Sequence, residues 1–519
     1  MSEIFKRPEI KSVNFCVDEN IWGHRLYDEQ LPHLTVLEFL GALGSNLDKP
    51  LRPHEGLGGA FKFQPQRQIR LRGLLFNNPY VDSISESKLA DEEKWRLWFE
   101  RFSQGATGNG DGVNDIAYLR HAFASFDDFA KAVELLRSSS FESRSNKRWS
   151  SKFVFPFGPD ALYEDLEIDA KGKMSNDRRF FARTGELLYM MLTRAKRGAE
   201  LGDMLAKRLF DPEAPMNRLA RVMQGAPQRA EDSRLSGYLP EAANPRFDQI
   251  CDDWLAVLSK DMPIYDALEH LIAISGLNML LYFLERAKRV AGDDDPVEIV
   301  CEIVSKERTK VRALSGDSYL HNQGLPAKAV RAHVESIRQD AAWSKADDCD
   351  LPEAERVKLM RERFQWPSID GGDDEDYSGE SPDALINKLV ELALARHEQH
   401  VGKIHASWSR AIGLSSRRLS RRTRYAPNDR LLKSIVVAIV DDRMQFDEFL
   451  AEAKRRYGLI LGDAEGSRMI DAKLVDQDEL SENRDNLEAR LVGLGLVRRL
   501  SDSCSFVENP FAFKGEAAC

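Results

Sequence analysis

From about residue 245 to residue 365, apolar side chains return every three or four positions. Cys251–Leu258, Tyr265–Leu284 and Val297–Val304 all follow this spacing, which gathers them on one face of an α-helix. A stretch governed by that period commits the chain to a mainly helical architecture. Pro263 and Gly276 are expected to break or soften its middle, since proline lacks a backbone donor and glycine weakens a helix interior. The most apolar piece, Ile264–Leu284, carries Asp266, Glu269, His270 and Asn278. Those are too many polar groups for a lipid-facing span, so a soluble chain is expected.

The 519 residues permit two to four domains with separate cores. A formal net charge of −10 argues against a wholly basic nucleic-acid coat. It leaves room for local basic surfaces, because binding depends on where charge sits and not on its sum. Six cysteines without a CxxC pair suit reduced thiols and supply neither a zinc ribbon nor a disulfide framework. The opening MSEIFKRPEIKS has no apolar signal core, so a bacterial-type cytoplasmic location is expected.

Six segments follow from the pattern. Residues 1–140 mix types: a helix over Leu31–Leu43, a half-buried strand over Gln66–Phe76, a glycine-rich loop at Gly105–Gly112 and a helix over Tyr118–Leu136. Residues 141–240 bring a basic connector, short strands at Phe153–Gly158 and Asp165–Met174, and a long helix over Gly185–Phe210. Ser175-Asn176-Asp177 offers side-chain oxygens to cap that helix. Residues 241–365 form the helical domain. Residues 366–384 read as a linker, because the acidic run Asp370–Asp383 has almost nothing to bury. Residues 385–427 hold a helix and an arginine-rich segment, and 428–519 a final module.

In that module Leu431, Leu432, Ile435, Val436, Ile439 and Val440 define one helix face, with Pro427-Asn428-Asp429 at its start. A second helix runs over Phe446–Tyr457 with Gly458 as its stop. A third covers about Ser481–Leu494 and leads through Gly495-Leu496-Val497 into two short strands about Ser501-Asp502-Ser503. This order resembles the winged-helix class over residues 428–511. In DNA-reading members the third helix enters the major groove. Here Asp476, Asp478, Glu479, Glu482, Asp485 and Glu488 outnumber Arg484 and Arg490 around it, a departure that repels a polyanion. The resemblance therefore implies the fold without implying base reading. Together with the segments before it, the expected class is a mainly α (α+β) multidomain protein.

The richest cationic stretch precedes the module. Arg410, Arg417, Arg418, Arg421, Arg422 and Arg424 crowd into a segment with one acid, Asp429, near its end. Guanidinium presents a fixed fork of donors suited to phosphate oxygens. Ser415, Ser416 and Ser420 add neutral contacts, and Trp408 and Tyr425 flank the cluster where unpaired bases would stack. The competing readings are a solvated face or a clamp for the acidic run at 370–383. A second basic cluster places Arg144, Lys147, Arg148 and Lys152 around Trp149, and a third joins Arg178, Arg179 and Arg183.

Pro159-Asp160 followed by Asp169-Ala170-Lys171 spells a loose PD…DxK string, with Glu167 as a further ligand for a metal nuclease. His397, His400 and His405 lack the spacing of a zinc protease and read as packed or solvated. Neither GLGG at 56–59 nor any other stretch forms a phosphate loop, and no Gly-x-Ser-x-Gly is present.

The expected function is a non-catalytic, nucleic-acid-associated subunit without a cofactor or metal. It would bind DNA rather than RNA through its arginine clusters, alongside other protein subunits and away from membranes. A bacterial DNA-processing or antiviral (anti-phage) defence complex is its expected setting. The alternatives are a divalent-metal nuclease using Asp160, Asp169 and Lys171, and a protein-interaction scaffold that docks through the final module.

Overall fold

In a computed structural model, the structure describes residues 13–24, 26–53, 62–63, 74–75, 78, 80–105, 116–138, 166–168, 174–176, 183–225, 234–235, 237–304, 309–366, 380–418, 421–501 and 504–512. The protein is mainly α-helical with a few short strands. Contacts divide it into two compact units: residues 1–32, 190–197 and 237–519 form one, and residues 33–189 and 198–236 the other. Both units are discontinuous in sequence.

The core of the first unit is the helix Ile264–Val290. Gly276 does not break it, because the helix runs unbroken through that position, and Pro263 is its N-cap. By length and composition this helix could cross a membrane, yet 89% of its most apolar window is buried inside the protein. The helices Pro245–Leu258, Lys310–Glu335 and Asp429–Ile439 cover it, and so does the N-terminal helix Val13–Trp22. Trp22 Nε1 donates to the Phe283 carbonyl (2.9 Å), and the Tyr282 hydroxyl donates to the Trp22 carbonyl (2.8 Å).

A buried carboxylate locks two of these elements to the helix Phe446–Tyr457. Asp253 is fully buried and accepts from Asn278 Nδ2 (2.8 Å), the Tyr457 hydroxyl (2.9 Å) and Gln249 Nε2 (2.8 Å). Burial pushes its pKa up, and those donors work against the shift.

Val297–Val304 is not helical. Ile299–Val300 is a strand paired in parallel with Leu459–Ile460. Val297, Ile299, Cys301 and Ile303, spaced two apart, are all buried, so the segment satisfies a strand period as well as a helical one. Asp429–Ile439, Phe446–Tyr457 and Gln477–Gly493 supply the three helices expected beyond residue 428. The Asn428 side chain accepts from the Leu431 amide (2.9 Å) at the first helix start. Gly458 ends the second with a φ of +66°, the left-handed value for which glycine is favoured. Strands Val497–Ser501 and Cys504–Glu508 pair antiparallel, and a further strand, Arg443–Gln445, joins the edge of Cys504–Glu508. The resulting three-stranded sheet has Cys504–Glu508 in its middle.

The second unit holds an aromatic core in which Trp95, Trp98, Phe126 and Phe129 pack with Val133 and Leu136. Trp98 and Phe129 ring centroids lie 4.7 Å apart, and Trp98 Nε1 donates to Asn78 Oδ1 (2.8 Å). The expected helix Tyr118–Leu136 is two helices, Leu119–Ala122 and Phe126–Ser138. Ser125 divides them: its hydroxyl accepts from the Asp128 amide (3.2 Å) and starts the second. Pro32–Gly44 matches the expected first helix.

The expected helix Gly185–Phe210 is also two, Thr184–Thr193 and Gly198–Arg208. In the first unit the turn between them is held by Arg194 Nη1 on the Glu241 carbonyl (2.8 Å) and by the Lys196 amide on Asp248 Oδ1 (2.9 Å). Leu166–Ile168 pairs antiparallel with Met174–Asn176, so Ser175 and Asn176 lie in a strand, and Asp177 lies outside the described residues. Of the Gln66–Phe76 strand only Leu74 and Leu75 are described, and these are helical. Phe153–Gly158, GLGG at 56–59 and most of Gly105–Gly112 lie outside the described residues.

At Gly276 an added Cβ would stand 2.4 Å from Ile412 Cγ2 and 2.8 Å from Pro32 Cγ. Overpacking of this kind costs about 1–3 kcal/mol. Gly276→Ala is therefore expected to lower the urea unfolding midpoint followed by tryptophan fluorescence, and an unchanged midpoint would refute this packing.

Candidate nucleic-acid interface

The arginine cluster folds as a hairpin. Helix Ile404–Ala411 ends in a turn where Gly413 takes a φ of +81°. A side chain there would collide with Asn428, since a Cβ would fall 2.1 Å from Asn428 Nδ2. Strand Ser415–Ser416 then pairs antiparallel with Arg424–Tyr425. Arg417, Arg418, Arg421 and Arg422 on the connection are exposed, as is Arg410 on the preceding helix. Among the described residues, no carboxylate lies within ion-pair distance of Arg410, Arg417, Arg418 or Arg421. Arg422 stands 4.0 Å from Asp317, both largely exposed.

Arg424 belongs inside, which corrects its place in the expected phosphate-binding set. It is 1% exposed and its Nε pairs with Glu302, itself 2% exposed. Its Nη1 donates to the Arg418 carbonyl (3.0 Å), holding the loop from within. The other Glu302 oxygen accepts from Arg312 Nε (2.7 Å). A buried carboxylate left with one partner would be costly, and two guanidiniums satisfy it. The Glu302 amide donates to the Tyr425 carbonyl (3.0 Å), and the Ser315 hydroxyl donates there too (2.7 Å).

Trp408 and Tyr425 are likewise interior, at 1% and 0% exposure, so neither offers a face to bases. The Tyr425 hydroxyl accepts from Asn322 Nδ2 (3.1 Å) and lies 2.6 Å from His405 Nε2. Burial drives His405 down to about 3 and Tyr425 well above its ordinary value. Burial thus favours the neutral form of both groups. His397 is buried against Asp18 (3.0 Å) and stacked on Trp22, and His400 stands 3.7 Å from Asp28. Among the described residues no group of three or more His, Cys, Asp or Glu side chains is arranged to hold a metal.

Asn483 ties the segment around Glu302 to the third helix of the final module. The Ile303 amide donates to Asn483 Oδ1 (2.7 Å), and its Nδ2 donates to the Cys301 (3.0 Å) and Leu461 (2.7 Å) carbonyls. The outer side of that helix exposes Asp478, Glu482 and Asp485. Its two cations are engaged, Arg484 with Asp447 and Arg490 with Asp429 (2.7 Å). That last pair also neutralises the acid at the end of the arginine stretch.

The other basic residues fare differently. Arg144, Lys147, Arg148, Lys152, Arg178 and Arg179 lie outside the described residues, as do Asp160, Asp169 and Lys171 of the nuclease string. Of the acidic run, residues 380–383 are described: Ser381 caps helix Pro382–Gln399, and Asp383 pairs with Arg338. A cleft of about 370 Å³ is lined by Arg246, Arg289 and Arg455 and also by Asp293, Asp294 and Asp295. Its arginines already bind Glu285, Glu241 and Glu452, so it has little to offer an anion.

Glu302→Gln should destabilise the protein by about 3–5 kcal/mol, the cost of stranding a buried charge. Adding Arg424→Met should restore part of it, and equal unfolding midpoints for wild type and Glu302→Gln would refute the buried pair. His405 gives a pH test. Its folded pKa lies below the ordinary 6.5, so the unfolded chain takes up the proton first. Its contribution is complete above about pH 6.5 and falls by about 1.4 kcal/mol per unit as pH drops toward 3. His405→Gln should flatten that part of the stability profile, and identical profiles would refute a neutral buried imidazole. No protein-family model, curated protein or solved structure matches this chain.

Proposed function

We propose that the protein is a nucleic-acid-associated subunit that grips phosphates through Arg417, Arg418, Arg421 and Arg422, with Arg410 beside them, and performs no covalent chemistry there. One observation carries this reading: four guanidiniums are exposed on a single loop whose base is fixed by the buried Arg424–Glu302 pair. Guanidinium forks facing water are suited to phosphate oxygens. A cytoplasmic location and partner subunits belong with this reading.

After residue 428 the three longer helices, the closing hairpin and the strand Arg443–Gln445 at the sheet edge support a winged-helix module, with the strand Leu459–Ile460 and the short helix Ser467–Asp471 inserted between its second and third helices. The acidic outer side of its third helix argues against insertion into a major groove. That side favours a second use of the module, docking a protein, so phosphate contact falls to the hairpin before it.

The variant Arg417→Ala/Arg418→Ala/Arg421→Ala/Arg422→Ala tests the reading by fluorescence anisotropy on labelled DNA over a salt series. Each lost phosphate contact flattens the dependence of log K on log salt by about 0.9. The expected outcome is weaker binding and a slope reduced by up to about 3–4, with an unchanged circular dichroism spectrum. Unchanged affinity and slope would overturn the proposal.

A further inference from the structure

We infer that the hairpin's ligand is a paired nucleic-acid duplex, taken by its phosphodiester backbone, in preference to a single strand. The inference rests on the phosphate-binding reading above and narrows its substrate class. Proteins that hold single strands draw about 1–3 kcal/mol per base from stacking on aromatic rings. The aromatic and imidazole side chains between residues 404 and 430 are His405, Trp408 and Tyr425, and all three are at most 1% exposed. Tyr319, against His405 and Tyr425, is 3% exposed. The hairpin thus presents cations without a stacking platform.

Two of its serine hydroxyls are engaged within the protein. The Ser415 hydroxyl lies 2.9 Å from that of Ser409, and the Ser416 hydroxyl accepts from the Arg418 amide (3.1 Å). The positive charge of the loop is held in place. Arg417 Nε donates to the Arg421 carbonyl (3.2 Å) across the loop, and Arg424 holds the Arg418 carbonyl from inside. A surface that attracts by charge alone favours the ligand with the higher linear charge density. A duplex carries one negative charge per about 1.7 Å of axis, and its counterion release is steeper, about 0.9 against about 0.7 per contact for a single strand. DNA and RNA duplexes share this chemistry.

Anisotropy of the full chain against three labelled probes of equal length decides the matter: a DNA duplex, an RNA duplex and single-stranded DNA, each over the same salt series. The expected result is several-fold tighter binding of at least one duplex with a steeper salt slope, and the ratio of the two duplexes identifies the sugar. The quadruple alanine variant should lose this preference. Single strands bound as tightly as duplexes would overturn the inference while leaving the phosphate-binding reading intact. A preference that survives in the quadruple variant would also overturn it, since the hairpin would not be its source. Absence of binding to every probe would remove both.

Discussion

The carboxylate of Glu302 is the interaction on which the arrangement around the hairpin depends. Buried between Arg424 and Arg312, it would be unstable without both cations, and Arg424 would be unstable without it. Its own backbone carries strand Ile299–Val300, which pairs with the final module. Its neighbours Cys301 and Ile303 are held by Asn483 from the third helix. A few residues of chain thereby join the arginine hairpin, the helix Lys310–Glu335 and the module beyond residue 428. Apolar packing alone would permit sliding between these elements, whereas directional donors and acceptors fix their register.

The mainly helical class was legible because the period of 3.6 is a local signal. So were a start and a stop: Asn428 and Gly458 act through their own backbone neighbours. Val297–Val304 escaped because its apolar residues fit periods of two and of three to four alike, and the deciding partner, Leu459–Ile460, lies far along the chain. The two split helices show the same limit. Ser125 begins a new helix by a capping bond, and Arg194 and Lys196 turn the chain toward acceptors near residues 241–248.

The candidate site was legible as a cluster and not as a sorted set. Nothing in Arg421-Arg422-Thr423-Arg424-Tyr425 marks which guanidinium faces inward, because the carboxylate that claims Arg424 is 122 residues away in sequence. Trp408 and Tyr425 looked like stacking rings for the same reason. Tyr425 is held inside by His405, Asn322 and Ser315 on the helices Ile404–Ala411 and Lys310–Glu335. The acidic character of the third helix could be read directly, since exposed charge on a helix needs no distant partner to be recognised.

The N-terminal helix has a consequence for biosynthesis. Trp22 bonds to Phe283, 261 residues later, and Asp18 to His397, 379 residues later. A ribosome adds about 5–20 residues per second, so Asp18 waits about twenty to eighty seconds before its histidine exists. The unit formed by residues 33–189 and 198–236 has its whole sequence long before then. The middle unit can therefore fold before the helix Val13–Trp22 has all its partners, the last of which is made only with His397.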